Sequence, residues 1–298
     1  MGIAFSLAAM LCFAANILLT RYAIVRLSVA AGFFVVLATN ILFPAALFAF
    51  EIMVRAAPYA WNWKGAGLFA LGGVVGTFLG RRMLFDAVRL LGPSRASVFH
   101  STAPAFALVG AWLLADERLG VYEIVLMAVV WAGLWITQPR GALNAGAGGL
   151  PPAVLRKGMI AGILTVAGFG IGNVFRGLAM RGWDEAVLGT VIASVAALSC
   201  QIAVTRDWAL IRSLLRAADR KALALYIGCG ITTSLGAVFL GLAMNHMEIA
   251  LAVLVVHTTP LVIFPVSVLI LKNREELTPR TLLGAVLVFL GIALLAFR

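Results

Sequence analysis

Two histidines stand inside long apolar runs, where a titratable side chain needs a reason to be. His100 and His257 lie within four residues of a proline, in FHSTAP and VHTTP. An imidazole titrates near neutral pH, so either could carry a proton or sense a ligand. Equally, either could be a neutral ring bonded to a neighbouring helix. Thr258 follows His257 and is a candidate substrate contact. Pro104 and Pro260 each free a carbonyl one turn upstream and kink a helix, a hinge or an exposed ligand site. Asn16 and Asn173 are polar groups in apolar surroundings that need partners, each other or a substrate. Arg176 follows Asn173 with Gly168, Gly170 and Gly172 just before it. It could bind a carboxylate or phosphate in a cavity, or snorkel to an interface beside Arg181. Arg81 and Arg82 close another apolar run. Arg82 and Asp86 are spaced to pair on one helix face, which leaves Arg81 about 100° away, toward a cavity or toward the headgroups.

The elements that position these residues come in two copies. Arg81 to Thr137 holds two apolar runs, with a proline in the first and the turn Asp116-Glu117-Arg118-Leu119 between them. The plan returns near the C-terminus. An offset of 156 pairs Ala87 with Ala243, Thr102 with Thr258 and Pro104 with Pro260. An offset of 158 pairs Glu117 with Glu275 and Gly133 with Gly291, and Asn16 and Asn173 differ by 157.

Of the 298 residues, 63% are hydrophobic and only 12% charged, and the mean hydropathy is +1.05. Continuous apolar runs of about 20 residues fit helices that cross a hydrocarbon core of about 30 Å, not alternating barrel strands. The fold class is therefore an all-α integral membrane protein. Ten spans are expected, at roughly 2–22, 29–51, 64–86, 94–115, 120–138, 158–180, 186–205, 222–244, 248–271 and 280–297. The first reads as a span rather than a signal peptide, since it lacks a basic leader and carries Asn16. The Gly, Ala and Pro-rich stretch 139–157 reads as a linker between repeats 1–138 and 158–298. Five spans per copy is odd, so the second copy enters the membrane inverted, an arrangement of transporters with the solute site between the halves.

The net charge of +11 sits in the connections, so membrane orientation and anionic lipid account for it, and nucleic acid is not an expected partner. Of the 23 Lys and Arg residues, 17 flank the connections after odd-numbered spans, which assigns that side to the cytoplasm and both termini to the other side. Between Arg206 and Lys221, Arg212, Arg216 and Arg220 oppose Trp208, Ile211, Leu214 and Leu215, a short amphipathic helix on the inner headgroups. Tyr59, Trp61 and Trp63 beside Lys64 suit an interfacial belt. Gly72, Gly76 and Gly80 make a smooth stripe for close helix packing. Cys12, Cys200 and Cys229 read as packing residues, and Glu117 and Glu275 as caps of the helices that follow them. No metal-ligand spacing, phosphate loop or nucleophile elbow is present, so neither an enzyme nor a cofactor is expected.

Arg81 with Ala87, the run Gly92-Pro93-Ser94-Arg95-Ala96-Ser97, Pro104, Asp116 to Leu119 and Gly133 resemble the first copy of an EamA-type unit of the drug/metabolite transporter superfamily. Ala243, Pro260, Glu275-Glu276-Leu277-Thr278 and Gly291 resemble the second, with Asn16 and Asn173 in the first span of each unit. The resemblance implies a ten-span secondary transporter with a central cavity lined by the first, third and fourth spans of each half. Many members carry Trp-Gly where Ala14-Ala15 stands, and many place their termini in the cytoplasm. The expected function is alternating-access transport of a small polar metabolite such as an amino acid across the inner or plasma membrane. It would be an exporter or exchanger, with protons as a candidate coupling ion and a monomer sufficient. A carrier of an anionic or lipid-linked sugar and a non-transporting scaffold are the alternatives.

Overall fold

Hydrocarbon offers the backbone no hydrogen-bond partner, so apolar runs of this length fold as helices. The computed structural model describes residues 1–55, 60–91, 99, 102–118, 120–137, 151–259, 262–263 and 279–296. Among them the regular structure is entirely helical: α1 Gly2–Ala23, α2 Val29–Val54, α3 Trp63–Leu91, α4 Ala103–Ala115, α5 Val121–Thr137, α6 Pro152–Gly182, α7 Ala186–Val204, α8 Trp208–Ala217, α9 Arg220–His246, α10 Ile249–Val256 and α11 Pro279–Ala296. Six of these, α1, α2, α3, α6, α7 and α9, are long and apolar enough to cross a membrane.

Side-chain caps set several starts. Ser28 accepts from Ala31 N (3.4 Å), Asn62 from Gly65 N (3.0 Å), Asp207 from Leu210 N (2.9 Å) and Asp219 from Ala222 N (2.7 Å). α6 begins at Pro152, inside the stretch assigned to the linker, because Pro is preorganised for a first helical turn.

The helices pack mainly across the chain's midpoint. α1 lies on α9 and α10, α6 on α3 and α4, α2 on α7 and α9, α7 on α3, α4 on α10, and α5 on α11. Exchanging α1 with α6, α2 with α7, α3 with α9, α4 with α10 and α5 with α11 turns each of these contacts into another of the set. The core therefore forms between the two stretches of chain rather than within either one.

The glycine stripe on α3 meets glycines of α6. A Cβ on Gly172 would stand 2.5 Å from Gly76 Cα, and one on Gly168 would stand 2.9 Å from Gly80 Cα. The central part of α3, Gly73–Gly80, is wound as a π-helix, directly before Arg81.

The amphipathic segment is helical over Trp208–Ala217. Ile211 is buried, Trp208 lies 5.3 Å from Phe34, and Arg212 and Arg216 are exposed. Arg220 does not belong to this helix. Asp219 caps a new one there, and Arg220 is the first residue of α9. Trp61 packs edge-on against Trp63 and Trp183 at the opposite end of the bundle, while Tyr59 lies outside the described residues.

Two expected kinks are breaks. Spans 94–115 and 248–271 read as continuous helices bent at proline. Instead α4 starts at Ala103 with Pro104 second in the helix, where its missing N–H breaks no bond. α10 ends at Val256 and a turn over 257–259 follows. Pro260 and His100 lie outside the described residues.

Gly172→Ala should lower the thermal midpoint in detergent by the equivalent of about 1–3 kcal/mol, because the methyl meets backbone that cannot yield locally. Gly67→Ala, whose Cβ would meet nothing within 4 Å, should be neutral or slightly stabilising.

Candidate functional site

The two helix breaks are closed by the same bonds. Thr102 donates from its N–H (2.8 Å) and its hydroxyl (2.7 Å) to Phe99 O. Thr258 donates from its N–H (3.1 Å) and its hydroxyl (2.6 Å) to Val255 O. The turns therefore match at the sequence offset of 156. Thr258 is fully buried, with Met10 Sδ 3.2 Å from its hydroxyl, so in this conformation it closes the turn and faces no open space. His257, half-buried, folds Nδ1 to 2.8 Å from Val253 O at the end of α10.

Asn16 and Asn173 do not bond each other. Asn16 ties α1 to α9, its amide donating to Cys229 O (2.8 Å) and Thr233 Oγ1 (2.7 Å). Asn173 Oδ1 accepts from Arg176 Nη1 at 3.1 Å. α6 runs from Pro152 to Gly182, so this bond draws the guanidinium back along the helix, away from the near end at Gly182. Arg176 therefore reaches into the bundle and does not snorkel to that end. Phe169, Asn173 and Arg176 repeat at i, i+4 and i+7 and are all half-buried, one face between the sides that pack on α3 and α4.

Arg81, also half-buried, holds its guanidinium 5.3 Å over the Phe33 ring on α2. Asp86 pairs with Arg89 (3.9 Å) and not with Arg82, since i, i+3 spacing also shares a helix face. Arg82 instead lines a cavity of about 600 Å³ with Ala203, Val204 and Arg206.

One buried pair between α2 and α9 was not singled out from sequence. Asn40 lies 3.2 Å from Ser234 Oγ, and with its amide nitrogen turned inward it also reaches Val36 O (3.1 Å) and Gly230 O (2.8 Å). Its signal was a lone polar residue in an apolar run, the same signal that marked Asn16.

The end that carries the N-terminus is closed by charge. Glu117, buried after a left-handed Asp116 (φ 49°), does not cap the helix that follows it. Its carboxylate accepts from Ile249 N (2.7 Å) and Ala250 N (3.3 Å), the start of α10, and from Arg181. Sequence spacing could not reveal a partner 132 residues away. Arg55 bridges Glu51 (3.3 Å) and Glu185, Asn62 donates to Gly182 O (3.1 Å), and Trp183 Nε1 donates to Ala60 O (3.1 Å). Each of these groups except Glu51 joins α1–α5 or their connections to the later half. A second cavity of about 660 Å³, lined by Met1, Arg181, His246 and Glu248 among others, opens above this layer. Glu275 lies outside the described residues.

The model of the EamA-like transporter family matches residues 1–138 and 156–297. The chain belongs to the EamA-like transporter family. As an EamA-like protein with six long apolar helices, it is a multi-pass membrane protein of a family that transports small substrates. A solved crystal structure is similar in fold, with a TM-score of 0.73 at 16% identity over 99% of this chain and 96% of that one. No curated protein matches the sequence.

Glu117→Ala should destabilise the EamA-like fold by about 1–3 kcal/mol through loss of the cap and the pair. In a double-mutant cycle with Arg181→Ala, measured by thermal unfolding, the two changes should be less than additive. Full additivity would mean that the carboxylate serves α10 alone.

Proposed function

We propose that this chain is a secondary active transporter that moves a small polar metabolite through the inner or plasma membrane by alternating access, as an exporter or exchanger. Ten spans form two inverted five-helix repeats, 1–138 and 158–298, and one chain suffices. The carrying observation is the pair of matched helix breaks at Thr102 and Thr258, which adjoin α4 and α10, two helices that pack on each other across the halves. Discontinuous helices at a repeat interface are how such carriers expose polar backbone to a solute without exposing it to lipid. Asn16, Arg81, His100, Asn173, Arg176 and His257 flank the solute path. Thr258 enters the path only when its turn opens, and Pro104 and Pro260 stiffen the two hinges. The charged layer around Glu117 and Glu185 is the closed gate, and the basic end is the open side, facing the cytoplasm.

Purified protein reconstituted in liposomes should accumulate labelled solute against a preloaded unlabelled pool. Folded protein that moves nothing from a panel of amino acids, sugars and small organic acids would support a scaffold instead. In the same assay His257→Gln should alter the rate or its pH profile if the ring carries a proton. An unchanged profile would restrict His257 to closing α10. A C-terminal reporter active only in the cytoplasm should be silent.

A further inference from the structure

Three arginines at the ends of the bundle are matched by acid. Arg26 has Asp219 (3.0 Å), Arg55 has Glu185 and Arg181 has Glu117. Those of the interior are not. Among the described residues no carboxylate pairs with Arg81 or Arg176. Each of the ten described Asp and Glu residues lies in a connection or within five residues of a helix end.

Among the described residues Arg176 has one acceptor for its five N–H groups, Asn173 Oδ1, and the guanidinium of Arg81 lies over the face of Phe33 without a hydrogen-bond acceptor. Arg81 stands ten residues before the end of α3, roughly 15 Å from it along the axis. Arg176 turns away from the end nearest to it.

The cations also lie in sequence along one route. Arg82 and Arg206 share the cavity of about 600 Å³ at the basic end. Arg81 is the next residue inward along α3. Its neighbour Gly80 packs against Gly168 and Phe169, while Gly72 packs against Gly172 and the backbone of Arg176. Seven residues of α6 separate Phe169 from Arg176, so the second interior cation stands about 10 Å deeper.

Resting on the transporter reading, we infer that the solute is a small anion bearing a phosphate or carboxylate group. Arg82 and Arg206 admit it, Arg81 relays it, and Arg176 with Asn173 holds it. An unmatched guanidinium in a low-dielectric interior is completed by an anion, which both forked donors fit in bidentate geometry. A zwitterion fits less well, because the described interior offers no carboxylate to take its ammonium group. The half-buried amides beside the route suit a polar body rather than an acyl chain.

The test is thermal unfolding of the purified full-length protein in neutral detergent, at constant ionic strength set with chloride. The probes are inorganic phosphate, succinate, alanine and phosphatidylglycerol. Phosphate or succinate should raise the midpoint saturably, and alanine should not. Arg176→Gln should weaken that binding roughly ten- to hundredfold. Arg176→Lys, which keeps the charge and loses the fork, should fall between the two. Arg118→Gln, at an exposed pair outside the route, should match the wild type. Stabilisation by alanine that survives Arg176→Gln, stabilisation by phosphatidylglycerol alone, or no effect beyond that of chloride would each overturn the proposal. Loading the stabilising anion into proteoliposomes separates the two readings. Binding without movement would remove the transporter and leave the anion site standing.

Discussion

A backbone amide or carbonyl left open in hydrocarbon costs several kcal/mol, and that constraint governs where this fold can be interrupted. Each helix break must be closed by a group already at hand. Thr102 and Thr258 close theirs locally, by turning a hydroxyl onto the carbonyl three residues back. The N-terminus of α10 is closed at long range, by the carboxylate of Glu117 from the other half of the chain. That bond binds the halves to each other by necessity, because α10 without it would present bare N–H groups. The layer of ion pairs around it follows, since a buried carboxylate in turn requires Arg181.

Close packing supplies the second dependence. α3 and α6 approach until backbone meets backbone, which only glycine allows at Gly168 and Gly172. Between Asn16 and Ala87 the first copy is one residue longer than the second between Asn173 and Ala243. α3 is wound as a π-helix within that interval. A π turn takes up more residues than an α turn, so the extra residue is absorbed without a loop in the membrane. The widened segment ends at Gly80, directly before Arg81.

The helices were legible because hydropathy alone fixes an apolar run as a helix in this solvent, and the glycine stripe because its period matches one helix face. α8 was legible from its charge pattern, up to the point where Asp219 caps a new helix. Proline was ambiguous. The same residue suits a kink or a first turn, and at Pro104 the decision lies with the threonine two positions earlier. Glu117 was read as a cap, correctly in chemistry and wrongly in partner, because spacing along a chain carries no information about a helix start 132 residues on. Asn16 and Asn173 looked equivalent in sequence. They differ in the bundle because α9 offers Asn16 a carbonyl and a hydroxyl, while α3 meets α6 beside Asn173 with the backbone of Gly72 and Gly76.

That last difference shows where the two copies have parted. What the architecture needs is duplicated: the threonine turns, the prolines, and the glycines that join α5 to α11. The interior cations are not. At the offset of 157 the counterpart of Arg176 is Leu19, and at 156 the counterpart of Arg81 is Ala237. A charge needed to hold the bundle together would be expected in both copies or paired within one, and these are neither. Asn173, released from the cross-helix bonds that occupy Asn16, is left to orient a guanidinium. Symmetric positions therefore carry the frame, and the two interior arginines stand outside it.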